Sequence, residues 1–374
     1  MKTNYILTGL LFFYILSFNA QVVETLATHP KIKDGMYVDE EGNIYTTSGG
    51  WPDGFEIGKY DLDDENFTYN YYTGVDGPID IDEREDGDYI VTNFNSSTVV
   101  ALDPNTNQIT QIASGLDGPA GIAIDEEDNI YISNYGVYPL YDGHQIHKIT
   151  PEGVLSVLAD SPLLFRFQAM VFNGEGELIV SSQTSLYKVN TSTGELIEWV
   201  DLQTFGFGHM LYRSLDNSIY GTASGEHKIY KIDALGEVTV FAGSNAGYED
   251  GDLNTALFNS PLGIEMSPDE NIIYVTDSNR LRSITIDEPL GLDKTNLNNF
   301  KISPNPTSNG LVTVYNENAM EVSMALYDVS GKLLLSKNIQ QQQHTLDLTA
   351  YTNGMYFLKI KEGENTVCKK IIKL

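Results

Sequence analysis

The chain has 374 residues, a formal net charge of −30 and a single cysteine, Cys368. That length is enough for one large or two ordinary domains with full hydrophobic cores. One cysteine excludes an internal disulfide, and so strong a negative charge repels nucleic acids and anionic lipid headgroups. Because basic patches interleaved with aromatic residues are also missing from the sequence, we expect no nucleic-acid partner.

The first 20 residues have the pattern of a cleaved signal peptide. Lys2 precedes an apolar run from Tyr5 to Phe18, and the segment ends at Ala20. The run is too short to cross a bilayer comfortably, and ordinary polar sequence begins at Gln21. An uncleaved membrane anchor is the alternative. Because no second apolar run of membrane-spanning length follows, we expect no membrane-spanning segment in the mature chain.

Six segments repeat one pattern: an apolar strand, an acidic turn, and a second strand that ends in hydroxyl residues. They begin at Asp34, Gly77, Ala120, Gln168, Gly208 and Leu262. Equivalent second-strand residues are 41 to 54 positions apart, and a third and a fourth strand follow in nearly every interval. This period, with four strands per unit, predicts an all-β chain with a six-bladed β-propeller over residues 21–287.

The sixth repeat lacks a fourth strand, because the chain leaves the pattern near Asp287. A strand-like segment from Val22 to Ala27 precedes the first complete repeat. Pairing this segment with the last blade would close the ring and remove an exposed sheet edge. We therefore predict that the N-terminal strand completes the sixth blade.

The last repeat, FAGSNAGYEDGDLNTALFNSPLGIEMSPDENIIYVTDSNRLRSI, runs from Phe241 to Ile284. It resembles the NHL family and the related senescence-marker and gluconolactonase propellers, and the resemblance extends more diffusely from Val22 to Asp287. The resemblance implies the propeller architecture. It implies no single activity, because propellers include both binding modules and unrelated enzymes.

After a polar linker, residues 288–300, the chain becomes lysine-rich with short alternating strands, which predict a small β-sandwich over residues 301–374. The segments KISPNPTSNGLVTV, MALYDVSGKLLLSK and LDLTAYTNGMYFLKI resemble the type IX secretion sorting domain. The resemblance implies recognition by the type IX secretion machinery and removal of the tail. The product is then secreted or held on the outer cell surface of a Gram-negative bacterium. An adhesion module of the same fold is the alternative.

A column of hydroxyl residues stands one position before the end of each second strand. Its members are Thr47, Thr92, Ser133, Ser181, Thr222 and Thr276. We predict that these hydroxyls bond to backbone groups where the strands converge, because such local bonds are common. We assign no catalytic residue, since the sequence contains no zinc-protease, phosphate-loop, nucleophile-elbow or paired-cysteine motif.

Asp34, Asn134 and Asp277 are the predicted metal ligands, placed where a propeller converges on the mouth of its central channel. The family resemblance implies one divalent cation held there by oxygen ligands, which suit Ca²⁺. The Glu-Gly-Pro turn that supplies another ligand in that family has no match, which argues against lactonase activity. Asp80 and Glu265, both in mid-strand, are predicted to face the channel and to hold a cation or contact buried water.

Two long aromatic loops follow second strands and are predicted to rise over the same face. The residues predicted to bind a ligand are Trp51, Asn93, Tyr135, Tyr138, Tyr141 and His209. Trp51 belongs to the loop from Gly49 to Gly58, and the three tyrosines belong to the loop from Tyr135 to Gln145. Exposed rings suit stacking on a sugar or a peptide side chain, and a lid over the channel is the alternative role.

Two functions are consistent with this sequence. The first is a secreted or surface binding module whose propeller face holds a glycan, a peptide or a small molecule. The second is a divalent-cation-dependent hydrolase or lactonase that uses the same face. The missing ligand turn favours binding and the acidic channel residues keep hydrolysis open, so the sequence leaves undecided whether the protein is an enzyme.

Overall fold

The structure is a computed structural model. It describes residues 21–50, 54–203, 206–286, 300–316, 322–328, 332–339, 341–362 and 365–373. The predicted signal peptide, Trp51 and nearly all of the predicted linker lie outside these residues. The described residues before Asp287 and those from Phe300 onward form two compact units. Within the described ranges, no helix has the length and apolarity needed to cross a membrane.

The first unit consists of six β-sheets, called blades 1 to 6 here. It begins with β1 (Val22–Thr28). Blade 1 contains β2 (Met36–Val38), β3 (Ile44–Thr47), β4 (Glu56–Asp61) and β5 (Asn66–Thr73). Blade 2 contains β6 (Pro78–Glu83), β7 (Tyr89–Asn93), β8 (Thr98–Asp103) and β9 (Gln108–Ser114). Blade 3 contains β10 (Pro119–Ile124), β11 (Ile130–Asn134), β12 (Gln145–Ile149) and β13 (Leu155–Asp160).

Blades 4 to 6 continue in the same way. Blade 4 contains β14 (Met170–Phe172), β15 (Leu178–Ser182), β16 (Ser185–Val189) and β17 (Leu196–Asp201). Blade 5 contains β18 (Met210–Arg213), β19 (Ser218–Ala223), β20 (Lys228–Ile232) and β21 (Val238–Ala242). Blade 6 contains β22 (Gly251–Asp252), β23 (Pro261–Met266), β24 (Ile272–Asp277) and β25 (Arg280–Thr285), together with β1. A single 3₁₀ turn, Ser224–Glu226, is the one helical element among the described residues.

The blades form a closed ring. Their first strands contact one another in the order β2, β6, β10, β14, β18, β23 and back to β2. Second strands such as β7 and β11 are buried at every position, whereas the fourth strand β5 is mostly exposed. This is the arrangement of a six-bladed β-propeller, and the prediction of an all-β chain with successive four-stranded units is confirmed.

The acidic turns between first and second strands are held by their own side chains. In blade 3, the Asp125 carboxylate accepts hydrogen bonds from the Asn129 backbone N–H (2.8 Å) and the Tyr131 hydroxyl (2.9 Å). The same contacts recur in blade 1, where Asp39 accepts hydrogen bonds from the Asn43 backbone N–H and the Tyr45 hydroxyl. An aspartate at the start of a turn favours this geometry, because its carboxylate satisfies backbone donors a few residues ahead. The repeated acidic turn is therefore a structural element.

The N-terminal strand closes the ring, as predicted. β1 pairs antiparallel with β25, with Glu24 opposite Ser283, and so becomes the fourth long strand of blade 6. β22 pairs along its outer edge at Val22 and Val23. The two ends of the propeller are thus joined by backbone hydrogen bonds.

A buried arginine holds this closing strand through Asp250, whose side chain is 49% exposed. The Asp250 carboxylate accepts hydrogen bonds from the Thr25 backbone N–H (3.0 Å), the Thr25 hydroxyl (2.9 Å) and the Arg282 guanidinium (2.8 Å). Arg282 is fully buried, and it also pairs with the equally buried Asp277 at 3.1 Å. Removing either partner of such a pair leaves an uncompensated buried charge, so these contacts fix the closure.

The hydroxyl column forms a ring of bonds between neighbouring blades. Five of its members donate to a carbonyl of the next blade: Thr47 to Ile79, Thr92 to Ala120, Ser133 to Gln168, Thr222 to Leu262 and Thr276 to Asp34. Ser181 instead accepts a hydrogen bond from the Phe207 backbone N–H at 2.9 Å. The predicted backbone role of these hydroxyls is confirmed, and each bond also joins two blades.

These bonds require close approach between blades. Thr276 accepts a hydrogen bond from the Gly263 N–H (2.7 Å) and donates to the Asp34 carbonyl (2.7 Å). A Cβ atom on Gly263 would lie 2.2 Å from that carbonyl oxygen. Glycine at this position therefore lets the sixth blade reach the first.

The second unit contains two sheets. They are built from β26 (Phe300–Ser303), β27 (Leu311–Asn316) and β30 (Gln343–Asp347), and from β28 (Val322–Asp328), β29 (Leu333–Ile339), β31 (Gly354–Glu362) and β32 (Asn365–Lys373). Buried residues of both sheets, such as Val314 and Leu346 on one and Met324 and Leu358 on the other, belong to a single apolar cluster. This unit has its own hydrophobic core.

We expect Thr276→Val to lower the free energy of unfolding of the propeller by about 2 kcal/mol or more, because it leaves a buried N–H and a buried carbonyl without partners. Chemical denaturation followed by circular dichroism measures the change. Thr110→Val, at an exposed position of β9, is the matched control, with an expected change within about 0.5 kcal/mol. Equal stability of the two variants would contradict a structural role for the hydroxyl ring.

Candidate functional site

A cavity of about 290 Å³ is lined by the first strands of all six blades, which places it on the axis of the ring. Most of its lining residues are aliphatic, but polar atoms form the larger part of the surface that faces the cavity. The acidic and basic side chains that line it are Asp80, Asp82, His209 and Glu265. The prediction that Asp80 and Glu265 face the channel is confirmed.

His209 lies between two carboxylates at this cavity. Its Nε2 atom is 3.2 Å from Asp34 Oδ1, and its Nδ1 atom is 3.6 Å from Asp80 Oδ1. The Gln168 amide donates to Asp34 Oδ1 at 2.8 Å and contacts His209 Nε2 as well. Blades 1, 2, 4 and 5 each supply one residue, so the closed ring assembles this cluster.

Charge and burial compete at the histidine. Burial alone lowers the pKa of His209, but the carboxylates of Asp80 and Asp34 outweigh it, and the pKa is raised above its ordinary value. Burial raises the pKa of Asp80, although His209 and hydrogen bonds from the Ile122 and Ile81 N–H groups oppose this shift. The cluster can therefore hold and move a proton between a histidine and a carboxyl group.

Two further carboxyl groups, both half-buried, line the cavity. Burial is the main cause that raises the pKa of Asp82 to about 7 and that of Glu265 to about 8. Each accepts a hydrogen bond from the backbone N–H of the next residue, Glu83 or Met266 (both 2.8 Å). These side chains become ionised only near or above neutral pH.

At the cavity the structure brings together two of the predicted site residues, Asp34 and His209; the three predicted tyrosines contact one another elsewhere. The other described ones have different partners. Asn93 accepts a hydrogen bond from the Asp76 N–H (3.1 Å), and the Asn134 amide contacts His147 Nδ1 at 3.2 Å. Trp51 lies outside the described residues.

Asp277 is held by structural contacts. Its carboxylate accepts hydrogen bonds from the Asn259 N–H (2.6 Å) and from the Arg282 guanidinium (3.1 Å). In the described parts of the chain, no cluster of three or more His, Cys, Asp or Glu side chains has the arrangement of a metal site. A cation bound by Asp34, Asn134 and Asp277 stays a prediction.

An aromatic row extends across blades 2 and 3. The ring centroids of Phe94 and Tyr135 are 6.4 Å apart, and those of Tyr135 and Tyr141 and of Tyr141 and Tyr138 are each 6.1 Å apart. Tyr138 is 78% exposed. Arg166 bonds to the carbonyls of Tyr141 and Leu140, and so fixes the loop that carries the row.

Four contributors were not predicted: Asp82, Gln168, Phe94 and Arg166. Gln168 begins the fourth repeat, where most other repeats have small or aliphatic residues, and that departure was a usable signal. Phe94 follows Asn93 at the end of a second strand. Its position in the sequence indicates no role until its contact with Tyr135 is known. Arg166 belongs to the next blade's entry loop, so its role depends on tertiary structure.

The comparisons with known proteins give a family match for the second unit and a likeness of fold for the first. Residues 301–374 match the family described as the secretion system C-terminal sorting domain. The predicted sorting domain of type IX secretion is thereby confirmed, and it indicates export to the cell surface or beyond. None of the curated proteins matches this chain in sequence.

The propeller is similar in fold to solved gluconolactonase-like structures. A gluconolactonase from Xanthomonas campestris is 10% identical (TM-score 0.56), with 71% of this chain and 89% of that chain covered. A putative gluconolactonase is 13% identical (TM-score 0.55; 72% and 95% covered). An auxiliary nutrient binding protein from Bacteroides ovatus is 17% identical (TM-score 0.56; 72% and 77% covered). The predicted family resemblance is confirmed, and at these identities it shows the fold alone.

We expect the half-buried carboxyl of Glu265 to make the propeller less stable as the pH rises. Its pKa in the folded state, about 8, is above its ordinary value of 4.5. Its favourable contribution to the free energy of unfolding is therefore complete below about pH 4.5 and is lost as the pH rises towards 8. Glu265→Gln should therefore raise Tm by several degrees at pH 9 and leave it nearly unchanged at pH 4. Differential scanning calorimetry tests this. Glu24→Gln, at an exposed site, is the control, and parallel pH profiles of the wild type and Glu265→Gln would contradict the expectation.

Proposed function

We propose that this protein is exported by the type IX system and binds a ligand at the face of its propeller where the second strands end. The observation that supports this best is the aromatic row, whose loop is fixed by Arg166 while Tyr138 stays largely exposed. A rigid exposed aromatic surface loses little conformational entropy when it binds. Its natural ligands are sugar rings, peptide side chains or small molecules with a flat apolar face.

The charge of the propeller narrows the class of ligand. Residues 21–299 contain 46 acidic and 13 basic side chains, and Asp34, Asp80 and Asp82 lie at or in the cavity. Such a field disfavours anions and favours neutral or cationic ligands. A structural neighbour titled as an auxiliary nutrient binding protein agrees with a binding role, although it shares only the fold.

The export route is part of the same proposal. Residues 1–20 act as a signal peptide, and the C-terminal unit then presents its two sheets, as a β-sandwich, to the type IX machinery. Removal of the tail leaves a mature propeller that is released or attached to the outer cell surface. The lone Cys368 would leave with the tail.

A hydrolase is the second candidate, and the position of His209 favours it. A histidine between two carboxylates at a cavity has the geometry of a general acid or base. A divalent cation at Asp34, Asn134 and Asp277 would supply Lewis-acid chemistry if it were bound. The hydrogen bonds that Asp277 already makes to Asn259 and Arg282 count against this cation.

Tyr138→Ala and Tyr141→Ala are expected to weaken ligand binding at least tenfold, because each removes a ring that stacks on the ligand. Glycan and peptide arrays on the mature chain identify the ligand, and calorimetry then measures the variants. Tyr71→Ala removes a tyrosine that is 44% exposed on the outer strand of blade 1, and it should have no effect. Equal affinity in all three variants would place the ligand elsewhere.

Metal analysis separates the two candidate functions. For a binding module we expect no stoichiometric divalent cation after purification and no change of Tm with a chelator or with Ca²⁺. One Ca²⁺ per chain that is lost in Asp34→Asn, together with a fall in Tm, would support the hydrolase instead. Lactones and esters would then be screened with the wild type and His209→Gln.

A further inference from the structure

A second recess lies between blades 4 and 5. It has a volume of about 210 Å³, and we call it the outer groove. It is lined by the turns that join first to second strands and third to fourth strands, so it opens on the face opposite the aromatic row. Its polar and aromatic lining residues include Asn173, Glu177, Lys188, Trp199, Tyr212 and Asn217, and the acidic residues Glu175 and Asp233 line it as well.

One charged pair of the outer groove is neutralised internally. The Lys188 ammonium donates to Glu177 at 2.6 Å, and Asn173 donates to the same carboxylate at 2.9 Å. The Tyr212 hydroxyl donates to Asn217 at 2.9 Å. The carboxylates of Glu175 and Asp233 also line the groove and form no salt bridge with any described residue, so the groove disfavours an anion and admits a neutral ligand.

Trp199 provides the free donor of the groove. Its ring packs under the Lys188 ammonium, which is 5.2 Å from the ring centroid. In the part of the chain that the structure describes, the indole N–H has no hydrogen-bond acceptor, and it is not among the buried unsatisfied atoms. A half-buried indole N–H that still reaches solvent is positioned to donate to an oxygen of a bound molecule.

We propose that the outer groove binds one neutral, polyhydroxylated ring, such as a single sugar unit of a glycan. Its volume is below the roughly 300–1,000 Å³ of pockets for drug-sized ligands, so one ring suits it better than an oligomer. Ligand hydroxyls accept from the Trp199 N–H and donate to the oxygens of Glu177 and Asn217. This site shares neither the aromatic row nor His209 with the proposed function, and the two proposals stand independently.

The chain contains two tryptophans, so Trp51→Phe leaves Trp199 as the only one. We expect the emission of this variant of the mature chain to change saturably with the methyl glycosides of D-glucose, D-galactose or D-mannose. The expected dissociation constant is on the order of 1 mM, since few groups take part. Calorimetry on Trp199→Phe, which keeps the ring but lacks the N–H, should show at least a fivefold loss of affinity.

Gly174→Ala tests the location of the site. An added Cβ would lie 2.2 Å from the Tyr212 hydroxyl, which must move into the groove, so we expect at least tenfold weaker binding in the Trp51→Phe background. Gly225→Ala is the matched control, because its Cβ meets no atom within 4 Å. Circular dichroism and Tm verify that each variant folds.

Two results would overturn the outer-groove proposal. The first is the absence of both a saturable Trp199 signal and calorimetric heat with all three glycosides. The second is binding that Gly174→Ala leaves intact but Tyr138→Ala abolishes, which would assign the sugar to the aromatic row. Loss of ligand binding in Tyr138→Ala alone, with the Trp199 signal retained, would support both sites.

Discussion

The hydrogen bond from a second-strand hydroxyl to the carbonyl of the next blade is the interaction on which this propeller depends. Five blade junctions use it in that direction, and at the sixth a serine accepts from the neighbouring backbone. The bonds lie where the first strands converge, so they set the spacing of the cavity walls. Threonine and serine are suited to this place because one hydroxyl both accepts from its own blade and donates to the next.

The sequence was sufficient to predict the architecture, because strands, turns and hydroxyls repeat locally and at a regular period. Closure by the N-terminal strand followed from counting strands. The site was harder to predict, since His209 and Gln168 reach Asp34 across 175 and 134 positions of the chain. Asp277 has the chemistry of a metal ligand in sequence, and only the tertiary structure shows that Arg282 and Asn259 occupy its oxygens.

The candidate sites of this propeller lie largely at junctions between blades. The histidine cluster takes one residue from each of four blades, the aromatic row joins two, and the outer groove joins two others. A blade taken alone would lose the histidine cluster and the outer groove, whereas the three tyrosines of the aromatic row all belong to blade 3. The ring geometry therefore constrains the binding surfaces more tightly than the identity of any single loop does.

The pairing of residues 22–28 with residues 280–285 also has a consequence for biogenesis. The bonds that close the ring join residues from opposite ends of the propeller sequence. The entropic cost of closing this long loop is therefore met in one late step. The strands within each of blades 1 to 5 are close in sequence, so these blades can form early. Blade 1 lacks a neighbour on one side until blade 6 has formed. During that interval the chain is most exposed to misassembly.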